Sequence, residues 1–271
     1  MKKLLFTFLI IGASYYINAQ PDWTPASESN VSQNVWAGRK KPDNFKVFKL
    51  NQKAIEAKLA NAPSEKNSRS GSLIIELPGL DGKLHQFRVV TAPVVAPGLL
   101  EKMKIGQSYS GVSVDDPYTT VRFSVTQFGF NALIYSVEKE TVYIRGLDAK
   151  NGLHIVFTDP EGLHEDFKCT TKEAAKALQK SAKLTEATQL NANDGQIRIY
   201  RLALAASGEF SQAYDDDPEN DDPDATRKAA VIAFQTIRLT DANSYLERDF
   251  GIRLEIIADN GIISTRRGNI W

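Results

Sequence analysis

Cysteine and histidine are both scarce in this chain of 271 residues, and each scarcity excludes a class of site. The sequence contains one cysteine and three histidines. A single cysteine can form neither an internal disulfide nor a cysteine-rich zinc site. Three histidines leave little material for a histidine-based metal centre. The fold must therefore be stabilised by an apolar core and not by covalent or metal cross-links.

Net charge is also absent. The 33 lysines and arginines balance 33 aspartates and glutamates, so the chain has no overall basic surface of the kind that binds nucleic acid. We therefore expect no nucleic-acid partner. A hydrophobic fraction of 42% is ordinary for a globular protein, and the length corresponds to one or two domains.

A long apolar run occurs only at the N-terminus. Lys2 and Lys3 precede an apolar stretch at residues 4–12, and small residues follow as far as Ala19. This order is typical of a secretory signal peptide with cleavage between Ala19 and Gln20. A transmembrane anchor is the alternative, but the run is about half of the ~20 residues that a span requires. The sequence predicts a signal peptide at residues 1–19, secretion, and no transmembrane span after cleavage.

The region after the signal peptide has the alternating pattern of β-strands. Asp81 and Gly82 lie between two apolar runs and predict a hairpin. The regular spacing of short strands predicts a sandwich or a strongly curled antiparallel sheet. An extended arm is expected at residues 20–44, a short amphipathic helix at 51–61, and an irregular interruption at 93–98. The predicted strands are residues 72–76, 84–91, 118–125, 129–136, 140–145 and 153–157.

The pattern changes near residue 165. A Lys- and Ala-rich helix is predicted at 171–182, and a polar linker follows it. Beyond the linker, a strand at 197–205, a helix at 224–249 ended by Gly251, and a strand at 252–258 predict an α/β unit. The strand at 197–205 is expected to be buried because its second half is nearly all apolar. The fold class is therefore α+β: a β-rich antiparallel domain (20–168), a helix and linker (169–195), and an incomplete strand–helix–strand unit (196–271).

Motifs for hydrolytic chemistry are incomplete in this sequence. The nearest match to the zinc pattern H-E-x-x-H begins at His164 and Glu165, but its fifth position is Lys168, a cation that would repel zinc. His85 and His154 lie inside strand patterns and are predicted to be surface or interface residues. Ser207 follows a strand but lacks the G-x-S-x-G context of a nucleophile.

Two further features leave their interpretation open. Residues 215–224 contain seven acids in ten positions, which suits either a calcium site or a solvated loop that favours the start of the next helix. No EF-hand spacing is present. Cys169 lies between the β-rich region and the α/β unit, with Lys168 beside it. It is interpreted either as an ordinary linker cysteine or as a metal ligand.

Several segments together resemble one protein family. The resemblance is to secreted bacterial reprolysin-like zinc metallopeptidases, which are metzincins. The segments that resemble the propeptide of these enzymes are FKVFKLN (45–51), IIELPGLDGKLHQFRV (74–89), APVVAPGLLEKM (92–103), YSGVSVDDPYTTVRFSVTQFGFNALI (109–134) and VYI (142–144). The segments that resemble the start of their catalytic domain are IRIYRLALAASGEF (197–210) and ERDFGIRLEII (247–257).

The resemblance implies a protease precursor. In such enzymes a propeptide covers the active-site cleft until proteolysis removes it, and zinc is held by H-E-x-x-H-x-x-G-x-x-H. That motif does not occur in these 271 residues and would be expected beyond Trp271. The chain is thus expected to contain a signal peptide (1–19), a propeptide (20–168), a helix and linker (169–195) and the truncated start of a catalytic domain (196–271).

The same resemblance implies partners and a latency mechanism. The partners are the downstream catalytic domain and the protein or peptide substrates of the complete enzyme, with zinc as its cofactor. The thiolate of Cys169 is a candidate latency ligand for that zinc, because it could fill the open fourth position of a three-histidine site. Glu165 or Asp166 could take this role instead. The alternative function is a stand-alone exported β-rich binding or interaction module.

The 271-residue chain should not hydrolyse peptide bonds. No two of its histidines are four positions apart, so a metzincin zinc site cannot form. The purified chain would be incubated with a denatured protein substrate and added zinc. Hydrolysis that a chelator abolishes would contradict this expectation.

Overall fold

The secondary structure comprises a large antiparallel part and a small α/β part. The computed structural model describes residues 21–32, 36, 41–66, 73–103, 106–148, 150–158, 195–213, 223–259, 261 and 263–264. The strands are β1 (Trp23–Ala26), β2 (Phe45–Leu50), β3 (Leu73–Pro78), β4 (Leu84–Thr91), β5 (Gln107–Ser113), β6 (Thr120–Thr126), β7 (Gly129–Tyr135), β8 (Val142–Asp148), β9 (Leu153–Thr158), β10 (Arg198–Leu202) and β11 (Ile252–Ile256). The helices are α1 (Gln52–Leu59), α2 (Pro97–Met103), α3 (Gly208–Gln212) and α4 (Pro223–Phe250).

Nine strands form one antiparallel sheet in the order β1-β2-β9-β8-β7-β6-β5-β4-β3. Its two outermost strands, β1 and β3, approach each other, so the sheet is curled around its own inner face. The prediction of an α+β protein with a strongly curled antiparallel sheet is confirmed, and the sandwich alternative is wrong. The predicted domain boundaries stay predictions.

The inner face of the sheet holds the main apolar core. Along β6, Val121, Phe123 and Val125 point inward, while Arg122 and Ser124 alternate with them and point outward, as the two-residue period of a strand requires. Ile55 and Leu59 of α1 pack into the same core. Three aromatic contacts lie at its centre: Trp23 with Phe130 at 5.3 Å, Tyr109 with Phe123 at 4.9 Å, and Phe123 with Phe130 at 4.9 Å between ring centroids.

Local signals located the hairpin and the long helix correctly. Gly82 adopts a φ of +81° in the turn between β3 and β4, a conformation that glycine reaches without steric cost. Gly251 adopts a φ of +62° directly after α4, and its N–H donates to the Glu247 carbonyl at 3.1 Å. Both the Asp81-Gly82 hairpin and the helix at 224–249 are therefore confirmed, the latter with one extra residue at each end.

The expected extended arm at residues 20–44 is only partly correct. Its first residues form β1, which pairs with β2, and Trp23 is buried in the main core. Val31 and Trp36 do lie on a neighbouring surface, where they pack on the outer face of the sheet with Val47 and Ile155. A tryptophan buries a large apolar surface, and the Phe45 ring of β2 contacts Trp36 with ring centroids 5.8 Å apart.

The sequence did not reveal β1, β2 and β5. The β5 strand is rich in serine and contains Gly111, so its strand propensity is low. Tertiary packing explains the glycine: a Cβ at Gly111 would lie 2.7 Å from the Arg88 carbonyl oxygen of β4. The irregular segment predicted at 93–98 is also corrected, because Val95 pairs with Ile256 and α2 begins at Pro97.

The α/β part has the predicted strand–helix–strand order. Strands β10 and β11 pair in parallel, and α4 connects them. The expectation that the first strand is buried is wrong, because Ile199 and Tyr200 of β10 are each 52% exposed. In the described residues, β10 pairs with a neighbouring strand along one side only, the side that faces β11. The alternating and apolar pattern of its sequence therefore predicted more burial than this edge strand has.

His154 is fully buried, which corrects its predicted place at a surface or interface. Its Nε2 accepts a hydrogen bond from the Phe130 N–H at 3.0 Å, and its Nδ1 lies 3.0 Å from the Gly152 carbonyl oxygen. This pattern requires the neutral ring with the proton on Nδ1. Burial lowers the pKa of His154 to about 4, although the hydrogen bond to Gly152 opposes the shift.

His154 should make the chain less stable in mild acid. Between pH 6.5 and about 4 the unfolded chain binds a proton that the folded chain does not, so the free energy of unfolding falls as the pH falls. The full effect is about 3 kcal/mol. Urea unfolding across this window should show a smaller pH dependence for His154→Gln than for the unchanged chain. Val137→Ser, at a position that is 67% exposed and carries no titratable group, is the control and should keep the original pH dependence; identical slopes for all three proteins would contradict the assignment.

Candidate functional site

The most extensive candidate site is the contact between the curled sheet and the α/β part. Helix α4 lies on the outer face of the sheet, against β6 and β7. A second apolar core joins the two parts and contains Val94, Val95 and Leu99 from the β-rich region, all 2% exposed or less. Their partners in the α/β part are Val231, Ile232, Ala233, Leu239, Ile256 and Ile263.

Residues 94–96 extend the small parallel sheet. The Ile256 N–H donates to the Val94 carbonyl, and the Ala96 N–H donates to the Ile256 carbonyl, both at 2.9 Å. On its other side, β11 pairs with β10, and the Ile257 N–H donates to the Leu202 carbonyl at 3.0 Å. The β11 strand therefore lies between β10 and a segment supplied by the β-rich region.

A chain of four charged side chains crosses the same contact. Arg122 of β6 pairs with Glu247 of α4, and Glu247 also pairs with Arg253 of β11. Arg253 in turn forms two hydrogen bonds with the Glu65 carboxylate, at 2.6 and 2.9 Å. The Arg122 and Arg253 side chains are only 4% and 5% exposed. Two of these pairs cross the contact, Arg122 with Glu247 and Arg253 with Glu65, whereas the pair between Glu247 and Arg253 lies within the α/β part.

The pKa shifts in this chain follow from its hydrogen bonds. The hydrogen bond with Arg253 lowers the pKa of Glu65, against the opposing effect of burial. Burial by itself would lower the pKa of Arg253, but hydrogen bonds to Glu65 and Glu247 raise it on balance. Glu65 and Arg253 are therefore both charged at neutral pH.

A second polar cluster lies further along α4. Arg145 of β8 donates to Asp241 at 2.7 Å and to the Ala132 carbonyl at 2.8 Å. Burial raises the pKa of Asp241, and the charge of Arg145 opposes this shift. The hydroxyl oxygens of Tyr143 and Tyr245 are 2.9 Å apart. Strand β8 is therefore linked to the helix by hydrogen bonds as well.

Most residues singled out in the sequence lie outside the described part of the chain. This applies to Ala19 and Gln20 at the predicted cleavage site, to His164, Glu165, Asp166 and Cys169, and to residues 215–222 of the acidic run. Of that run, Asp224 is described and pairs with Arg227 at 3.4 Å. The latency role of Cys169 and the calcium site thus stay predictions.

The remaining predicted residues have structural partners. The Ser207 hydroxyl accepts from the Phe210 N–H at the start of α3, which is an ordinary helix cap. His85 lies 3.0 Å from Asp81. Both line an open cavity of about 530 Å³ at one end of the curled sheet, which also contains Phe87, Asp116 and Lys139. These residues come from separate turns, so no sequence motif indicated the cavity.

Among the described residues, no group of three or more His, Cys, Asp or Glu side chains is arranged to hold a metal ion. Also among these residues, no helix combines the length and apolar character needed to cross a membrane.

Comparison with known proteins finds weak structural likeness only. No protein-family model and no curated protein sequence matches the chain. A solved structure described as "Structure of a chaperone-substrate complex" is similar over 46% of this chain and 96% of its own, with 15% identity and a TM-score of 0.31. A likeness of this size carries no argument about fold or function.

Glu247→Gln should destabilise the contact strongly. The substitution leaves two buried guanidinium groups short of a carboxylate, and breaking a buried pair in this way costs about 3 kcal/mol. Chemical unfolding would measure the change. Glu76→Gln is the control, because Glu76 is exposed on β3, and it should change stability by less than about 0.5 kcal/mol. Equal effects of the two substitutions would contradict the role given to Glu247.

Proposed function

We propose that this chain is the N-terminal part of a secreted zinc metalloendopeptidase precursor, and that its β-rich region keeps the protease latent. In this proposal, residues 20–168 are the propeptide and residues 196–271 begin the catalytic domain. The zinc of the complete enzyme is bound by residues outside these 271, and the partners are the downstream catalytic domain and the enzyme's peptide substrates.

The observation that carries the proposal is the buried contact between the two regions. Two of the segments that resemble the protease family, residues 92–103 and 247–257, meet directly where Val94 and Ala96 pair with Ile256. A propeptide must bind its catalytic domain firmly before processing and still be separable afterwards. The combination of a small apolar core with an ionic chain suits both needs, because the surfaces are complementary and the linker at 169–195 can be cut.

The contact suggests how latency is maintained. Helix α4 and strand β11 are held against the β-rich region by the Arg122–Glu247 and Arg253–Glu65 pairs, so the β-rich region stays attached after the linker is cleaved. Access to the active site then depends on dissociation of the two parts and not on cleavage alone. The Cys169 thiol, as a zinc ligand from the linker, would add a second and independent block.

The alternative function is a stand-alone binding or interaction module. The cavity of about 530 Å³ beside Asp81 and His85 favours it, because its apolar floor and a few polar groups are typical of small-molecule sites. The two functions differ in what the α/β part is for. A binding module needs only the curled sheet, whereas a propeptide needs the contact with α4 and β11.

In the complete precursor, cutting the linker should not by itself release activity. A specific cleavage site would be introduced between residues 170 and 195, and peptidase activity and co-elution of the two parts would be measured after cutting. The unchanged protein should stay associated and weakly active. Val95→Asp, which places a charge in the shared core, should release the parts and raise activity at least about tenfold.

Two further variants complete the test. Val137→Asp is the matched control, because Val137 is 67% exposed, and it should behave like the unchanged precursor. Cys169→Ser reports separately on the thiol: activity before cutting would support it as a latency ligand. Full activity immediately after cutting, with the parts still bound to each other, would refute latency through this contact.

A further inference from the structure

The Val94–Ala96 segment leaves one sheet and joins another. The Ala92 N–H still donates to the Ser108 carbonyl at 3.0 Å, as part of the curled sheet. Two residues later, the Val94 carbonyl accepts from Ile256 of the small sheet. The segment therefore pairs in parallel with β11 through one isolated bridge, between Val95 and Ile256. We call it the lent strand, because the β-rich region supplies it to the α/β part.

Prolines delimit this lent strand. Pro93 and Pro97 flank it and have no N–H to donate, so pairing with β11 consists of the two hydrogen bonds at Ile256. The adjacent side chains supply the rest of the contact, since Val94 and Val95 are fully buried against Ile232, Ile256 and their neighbours. Recognition thus needs only a short aliphatic strand, with one donor and one acceptor on its backbone.

We propose that the outer edge of β11, with the adjoining apolar face of α4, is a strand-acceptor site. Its ligand is an extended segment with two aliphatic residues followed by a small residue, and Val94–Ala96 occupies it within the same chain. A separate peptide of this sequence binds there when the internal strand is weakened. This proposal deepens the propeptide function and takes its biological meaning from it, but the binding itself needs no protease activity.

Two neighbouring amides make the site measurable. The Ile256 N–H donates outward to the lent strand, whereas the Ile257 N–H donates inward to Leu202 of β10. Hydrogen exchange at Ile256 therefore reports on the acceptor site, and exchange at Ile257 reports on the small sheet itself. The two residues are adjacent, so local differences in the rest of the structure affect both alike.

The first experiment weakens the internal strand in the full chain. Two variants are used: Val95→Ser removes an apolar contact, and Ala96→Pro removes the donated N–H and also restricts the backbone at Val95. In each, hydrogen exchange at Ile256 should become at least about tenfold faster, while Ile257 changes by less than about twofold. Val137→Ser should change neither amide. Equal acceleration of Ile256 and Ile257 would overturn the proposal, because the strand would then be an inseparable part of the folded core.

The second experiment supplies the strand from outside. A synthetic peptide with the sequence of residues 91–100 is added in excess to Val95→Ser, and it should restore slow exchange at Ile256. The same peptide methylated on the nitrogen that corresponds to Ala96 should not restore it, because the N–H to the Ile256 carbonyl is lost. The proposal would be overturned if both peptides restored slow exchange at Ile256 equally, or if neither peptide restored it. The latency assay is independent, so an active precursor with intact peptide binding would refute only the propeptide function.

Discussion

The Glu247 carboxylate is shared by two buried guanidinium groups, and the arrangement of the sheet, the long helix and the small parallel sheet depends on it. Arg122 comes from β6 and Arg253 from β11. Removing each cation from water costs several kcal/mol unless an anion is close by. The end of α4 therefore lies between these two strands, where one carboxylate neutralises both cations.

Charge specifies this docking, but apolar burial supplies most of its favourable free energy. Buried ion pairs often do little more than repay their own desolvation. The shared core, in which Val94, Val95 and Leu99 are buried against α4 and β11, removes apolar surface from water without such a penalty. The ion pairs and the apolar core lie in the same contact, so a movement of the α/β part relative to the curled sheet would disrupt both of them.

The separate roles of charge and apolar burial in this contact bear on the proposed function. A propeptide has to recognise one surface and later leave it, and a contact made of a small apolar core and an ionic chain can do both. The lent strand adds a directional element, because backbone hydrogen bonds at Ile256 require one register and one orientation. The β-rich region is thus more than a neighbour of the α/β part: it completes the edge of the smaller sheet.

Local patterns in the sequence determined the elements whose signals are themselves local. The Asp81-Gly82 turn, the end of α4 at Gly251, the strand alternation of β6 and the strand–helix–strand order all follow from a few adjacent residues, so they could be predicted. The strands β1 and β5 could not, because β1 lies in a proline-broken stretch and Gly111 in β5 is selected by the close approach of β4. The resemblance to a protease family did not indicate how the two regions touch.

Only the tertiary structure decided which outward-facing and polar residues are buried. Strand alternation predicts that Arg122 faces away from the core, but whether that side meets water or a helix depends on Glu247, 125 residues further along the chain. The burial of His154 and the pairing of Val95 with Ile256 were decided in the same way. Contacts between such distant residues leave no period or spacing in the sequence, because their partners are chosen by packing and desolvation in the folded chain.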